Sequence, residues 1–170
     1  MHTFQPYPIE LFEFNPFNRF GSDWGLVSAG NREKTNAYTI KCGGVGVMWG
    51  KSVCFIFVRD SKYTKELIDK GDYFSITFFD PSMKKNVLKY MDMVSGRDED
   101  KIKAAGLSVD FSDKEIPYID SGNLVFLCKK LSATHIEPDD ILEDDILKSD
   151  YDDKDYHTMY IGEIIQILAR

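Results

Sequence analysis

The chain has 170 residues, enough for one compact domain with a substantial core. A net charge of −7 argues against a general nucleic-acid binder or a basic membrane-surface protein. Three cysteines (Cys42, Cys54 and Cys128) show neither CxxC nor Cys/His ligand spacing, so they read as reduced thiols of a cytoplasmic protein, with no metal site implied.

The opening stretch MHTFQPYPIELFEFNPFN has no basic patch followed by an apolar run, so no signal peptide is evident, and no window approaches a membrane span. In chain order, 24–30, 37–49 and 52–58 read as strands, the last apolar enough to be buried on both faces. Residues 61–71 read as a helix capped by Ser61 and stopped by Gly71. A strand over 72–79 follows, then short helices over 82–91 and 98–106 and a strand over 123–136. A helix over 138–148 opens the acidic stretch 137–153, which reads as a solvated face, and a strand over 157–169 ends the chain. Strands dominate without regular crossover helices. The expected class is mainly β with peripheral helices, an antiparallel barrel in a single domain over 1–170.

KCGGVGVMWGKS, residues 41–52, carries fragments of two phosphate loops and completes neither. Counting back from Gly50-Lys51-Ser52, the first P-loop glycine falls on Val45, and the dinucleotide fingerprint requires glycine where Trp49 stands. The apolar run after Ser52 is a strand where both motifs need a helix, so the glycines read as a softened strand or loop. A better anion site lies downstream, where strand 52–58 delivers Arg59, Ser61, Tyr63 and Thr64 into a helix start. Unsatisfied N–H groups, hydroxyls and a guanidinium meet there. The alternative is that Arg59 pairs with Asp60 or another carboxylate while Ser61 only caps the helix. Cys42, His135 and His157 form no nucleophile motif, and Ser residues lie outside G-x-S-x-G. Chemistry here therefore needs a cofactor.

The segment NPFNRFGSDWGLVSAGNREKTNAYTIKCGGVGVMWGKSVCFIFVRDSKYTKELI, with SGRDEDKIKAAGL (95–107) and HTMYIGEI (157–164) farther on, resembles the flavin reductase-like family of FMN-binding split-barrel proteins. The resemblance implies a six-stranded antiparallel split barrel forming a homodimer, with FMN near the subunit interface. It implies cofactor contacts from Asn36, Ala37, Tyr38 and Thr39, a close backbone approach at Cys42, Gly43 and Gly44, and phosphate contacts from Arg59, Tyr63 and Thr64. Lys41 is a candidate for positive charge beside the ring. His157 is either a nicotinamide or flavin-edge contact or a hydrogen-bonded strand residue. The implied activity passes hydride from NADH or NADPH to flavin and electrons on to flavin, oxygen, ferric iron or a protein, with no catalytic side chain required. A carrier like the flavoredoxins, with the same pocket and no nicotinamide site, is the alternative. A barrel without cofactor, acting only as a dimeric binding module, is a third.

Overall fold

The computed structural model describes residues 3–81 and 84–170, with backbone alone for Lys84 and Lys85. Among these residues one antiparallel sheet contains β1 (Gln5–Tyr7), β2 (Gly25–Gly30), β3 (Thr35–Ile40), β4 (Gly43–Met48), β5 (Lys51–Arg59) and β6 (Tyr73–Phe78). A small hairpin of β7 (Val109–Phe111) and β8 (Pro117–Ile119) stands apart, and β9 (Leu124–His135) and β10 (His157–Ala169) complete the main sheet. The helices are α1 (Tyr63–Lys70), α2 (Lys84–Met93), α3 (Lys101–Ala104) and α4 (Asp144–Asp150). Among the described residues no helix is long and apolar enough to cross a membrane.

Neighbours in the sheet run β3-β2-β6-β9-β10-β5-β4, with β1 added to the end of β10. The two edge strands, β3 and β4, are consecutive in the chain and joined only by Lys41 and Cys42. Ile40 and Gly43 can therefore lie no more than about 11 Å apart. Seven flat strands would separate those edges by about 29 Å. The sheet must curl until its edges approach, giving a barrel split along the β3/β4 seam. The mainly-β expectation holds. The strand count differs from the expected six, because 37–49 breaks into two strands at the joint and the N-terminal β1 adds another.

Alternation fills the interior. Leu124, Phe126 and Cys128 of β9 point into the barrel beside Ile56, Phe74, Phe78 and Tyr160. Val125 and Leu127, one residue out of phase, lie under β8 against Ile116 and Tyr118. Over Leu124–Cys128 β9 is thus buried on both faces, as that continuous apolar run demands, while its second half emerges toward solvent. β5 is fully buried on one face only. Cys54, Ile56 and Val58 face inward and are fully buried, while Phe55 and Phe57 face outward and are only partly buried. The N-terminal segment adds Phe12 and Phe14, whose rings meet Phe126 at 5.6 and 5.2 Å. A π-helical turn over Phe17–Asp23, absent from the sequence pattern, brings Phe20 within 5.4 Å of Phe78.

The helices are shorter than their patterns suggest. α1 starts at Tyr63, two residues beyond the expected cap, because Ser61 gives both its N–H and its hydroxyl to Asp155. Of 82–91, residues 82 and 83 lie outside the described residues and the helix runs on to Met93. Of 98–106, four residues are helical, N-capped by Asp100. The stretch 138–148 divides into a 3-10 turn at Pro138–Asp140 and α4, neither with a buried residue.

Gly162 sits where three strands crowd the barrel interior. A Cβ there would lie 2.6 Å from Phe74 Cζ and 3.1 Å from Cys128 Cβ. Its bare backbone also leaves room for Cys54 and Cys128, on the strands either side of β10, to bring their sulfurs to 3.4 Å. Gly162→Ala should destabilise by about 1–3 kcal/mol, the range of overpacking, read as a lowered urea midpoint at unchanged slope.

Candidate functional site

The start of α1 opens onto a polar pocket of about 170 Å³. Lys62, in extended conformation, is the N-cap but gives no side-chain cap, so the helix start depends on other groups for its first N–H donors. Asn36 and Tyr38 of β3 line one side, Ser61 to Thr64 a second, and Ser95, Gly96 and Lys101 a third. Asn36 Nδ2 donates to Thr64 Oγ1 at 2.9 Å, and both residues are buried. A Cβ on Gly96 would overlap Asn36 Oδ1, so glycine is what allows the 95–97 turn to lie against β3.

Positive charge converges on this pocket. Lys101 is 3% exposed and donates through Nζ to Met91 O at 2.7 Å and Val94 O at 2.9 Å, closing the C-terminal end of α2. An ammonium has three N–H donors, so one remains beyond these two bonds. Burial, helped by nearby Lys62, pushes its pKa down to about 8. Lys62 Nζ stands 4.9 Å from the Tyr38 ring centroid and donates to Asp92 O. Arg97 donates to Ser61 O at 2.9 Å, pairs with Glu66 and approaches the Tyr63 ring.

A separate, more apolar concavity of about 430 Å³ lies at the joint, lined by Phe17, Phe20, Phe55 and the Lys41–Val45 backbone. Gly43 has φ +144°, and a Cβ there would meet Phe55 O at 2.5 Å, so only glycine fits. At Gly44 a Cβ would meet the Phe55 ring. Lys41 Nζ pairs with Asp92 at 2.5 Å and lies 4.6 Å from the Trp24 ring centroid. Asp92 therefore holds Lys41 through its carboxylate and Lys62 through its carbonyl, linking the rims of the two concavities. Cys42 reaches solvent while its sulfur tucks toward Phe57 O at 3.9 Å, and burial pushes the thiol pKa up.

Of the residues singled out in the sequence, the polar pocket gathers Asn36, Tyr38, Tyr63 and Thr64, and the apolar one gathers Lys41, Cys42, Gly43 and Gly44. Ala37 and Thr39 point the other way along β3, to the α2–α3 side, where Thr39 Oγ1 donates to Leu88 O. Arg59 lines neither. Its guanidinium donates to Asp155 O at 2.7 Å and Asp150 O at 2.8 Å and pairs with Asp153 at 3.3 Å. His157 shares a 2.7 Å hydrogen bond with Tyr151 OH, and burial together with Arg59 lowers its pKa, so it is neutral at pH 7. Lys62, Gly96, Arg97 and Lys101 escaped the residue-level reading. The run SGRDEDK carries three of them, but nothing local shows that it folds back onto β3.

A model of the flavin reductase like domain matches residues 17–170. This chain belongs to the flavin reductase-like family. Its fold is similar to that of the flavoredoxin of Methanosarcina acetivorans, with TM-score 0.67 and 21% identity over 94% of this chain and 75% of that one. An FMN-binding domain of a flavin reductases-like enzyme from Shewanella baltica OS155 aligns with TM-score 0.70 at 15% identity, covering 98% and 77% of the two chains. A candidate flavin reductase with split barrel domain from Shewanella frigidimarina NCIMB 400 aligns with TM-score 0.68 at 17% identity, covering 87% and 67%. No curated protein matches by sequence.

Two outcomes follow for this flavin reductase-like domain. Gly96→Ala should displace Asn36 and break its buried bond to Thr64, costing about 1–3 kcal/mol in chemical denaturation. Lys101 has its folded pKa lowered, so above about pH 8 the folded chain has released a proton that the unfolded chain holds to about pH 10.4. More protons bound in the unfolded state means stability rising with pH in that window. Denaturation between pH 8 and 10 should show Lys101→Met flattening the rise.

Proposed function

We propose that this chain binds FMN and acts as an NAD(P)H-dependent flavin oxidoreductase, passing electrons to an acceptor flavin, small molecule or redox protein. The observation that carries the reading is the polar pocket at the start of α1. It is small, offers helix N–H donors, and has the buried Lys101 ammonium with a donor to spare. That donor set fits a phosphate monoester. Asn36, Tyr38, Tyr63, Thr64 and Lys101 would hold the phosphate end, and Lys41 with the Gly43–Gly44 backbone would meet the apolar ring system. In this arrangement Arg59 serves the site from behind, fixing the 150–155 segment against α1.

A bound flavin supplies the hydride- and electron-accepting chemistry that the side chains lack. The chain's own residues bind the phosphate, place positive charge from Lys41 near the ring and use Phe17, Phe20 and Phe55 to exclude water. His157 and Tyr151 form a neutral hydrogen-bonded pair beside Phe57, available as an edge contact. A cytoplasmic homodimer accompanies the reading. Val47, Met48 and Trp49 on the β4–β5 hairpin are exposed, and Phe55, Phe57 and Met159 form a half-exposed outer face that a second copy would cover. The electron-carrier alternative draws on the flavoredoxin fold neighbour.

An anaerobic titration of the flavin-loaded protein with NADH and NADPH separates the two readings. Rapid bleaching of the flavin band by either nucleotide is expected, and reduction by dithionite alone would instead establish a carrier. Affinity for FMN relative to riboflavin should be greatest between about pH 6, where the phosphate becomes a dianion, and about pH 8, above which Lys101 loses its charge. Lys101→Met should lower FMN affinity about tenfold, the worth of one charge-assisted hydrogen bond, leave riboflavin affinity within about twofold and flatten the fall above pH 8. Equal affinity for FMN and riboflavin in the unmodified protein would refute the phosphate assignment.

A further inference from the structure

α4 buries none of its residues, yet the residue that ends it is held from several sides. Tyr151, the C-cap of α4, stacks on Tyr156 with ring centroids 5.0 Å apart and planes 19° apart. The Arg59 guanidinium lies 5.5 Å from the Tyr151 ring centroid. It also grips the carbonyls of Asp155 at 2.7 Å and Asp150 at 2.8 Å, each just ahead of a tyrosine, and Asp60 N donates to Tyr156 O at 2.9 Å. Core packing does not explain so many contacts, because neither tyrosine is fully buried. The Tyr151 hydroxyl meets His157 Nδ1 at 2.7 Å, and His157 stands opposite Arg59 in the β5–β10 ladder.

That hydrogen bond decides which ring nitrogen of His157 carries the proton. Burial raises the Tyr151 phenol pKa, so the O–H is kept at neutral pH. A phenol is a more acidic donor than the N–H of a neutral imidazole, and the unprotonated imidazole nitrogen is the better acceptor. The bond therefore runs from Tyr151 Oη to Nδ1, and the His157 proton sits on Nε2. Among the described residues Nε2 has no protein partner. The pair borders both concavities. The His157 ring meets Phe57 edge-on at 6.5 Å, and Cys42 Sγ lies 3.9 Å from Phe57 O. Cys42 is also near enough to act electrostatically on Tyr151 and on Tyr38 of the polar pocket.

We propose that Tyr151 is a positioning residue of the redox site, holding His157 as a fixed Nε2–H donor for a carbonyl oxygen on the bound ring system. The inference rests on the flavin reading and deepens it. Two rings carry such an oxygen, the isoalloxazine of a flavin and the carboxamide-bearing nicotinamide. Arg59 fastens the segment, the segment sets the phenol, and the phenol sets the imidazole. A donor fixed before its ligand arrives loses little freedom on binding.

The test reads the tautomer and then its use. The chain has three histidines, and His157→Phe identifies the His157 signals in NMR spectra of flavin-loaded protein labelled in its imidazole nitrogens. Nε2 should carry the proton at neutral pH, and Tyr151→Phe should shift the Nδ1 resonance. Tyr151→Phe should also weaken binding of one ring about fivefold, the worth of one neutral hydrogen bond. Equal losses for FMN and riboflavin name the flavin as that ring. Unchanged flavin affinity, with KM for NADH or NADPH raised and kcat kept, names the nicotinamide. In the His157→Phe background Tyr151→Phe should cost nothing further, whereas a tyrosine that only braced α4 would show its loss there too. A proton on Nδ1, losses that add, or neither affinity moved by Tyr151→Phe would overturn the assignment. Failure of the unmodified protein to bind FMN and riboflavin would remove the flavin reading instead, and the spectrum of the apoprotein would then decide the tyrosine–histidine lock on its own.

Discussion

A joint of two residues governs the molecule. Lys41 and Cys42 connect strands that the hydrogen-bond ladder places at opposite edges of a seven-strand path, and that connection is too short for any sheet that stays flat. Curling follows, and with it an interior that can hold Phe20, Phe74, Phe78 and Phe126 as one aromatic cluster. The edges approach without pairing. Among the described residues β3 and β4 form no ladder with each other, and Asn36, Tyr38 and the Lys41–Gly44 stretch lie along this seam.

Layering then sets the chemistry. α2 and α3 pack on the outer face of β2 and β3 through Leu88, Met91, Ile102 and Leu107, against Leu26 and Ala37. That packing presses the 95–97 turn onto Asn36 and carries Lys101 beneath the start of α1. The lysine has two duties at once, satisfying carbonyls at the end of one helix and charging the floor at the start of another. The same group that completes the α2 backbone therefore gives the pocket its charge, and the cost of burying it appears as a lowered pKa.

The strands were legible because their burial alternates or runs continuous in ways the residues spell out. β9, apolar on both faces over Leu124–Cys128, and β10, thirteen residues long, stand where the sequence puts them. Local pattern could not show the break at Lys41-Cys42, since β-formers and glycines lie on both sides of it. It also overstated the burial of β5, because Phe55 and Phe57 carry the same apolar signal whether a helix or open surface lies above them. At the site, Asn36, Tyr38, Tyr63 and Thr64 were legible as a group and do converge. Arg59 shows the limit. A guanidinium after a strand and before a helix suits an anion, yet this one is occupied by carbonyls more than ninety positions away in the chain, which no local reading weighs.

That attachment has a consequence for how the protein can vary. Two of the three groups Arg59 grips are main-chain oxygens, of Asp150 and Asp155, which every amino acid supplies. The tether reads the path of the acidic segment and is largely blind to its letters. The side chain at 150 is thus free to drift through evolution while the segment stays fastened, whereas position 59 has no such liberty, since only a forked, permanently charged donor spans both carbonyls. Variation should accumulate on one side of this contact and be purged on the other.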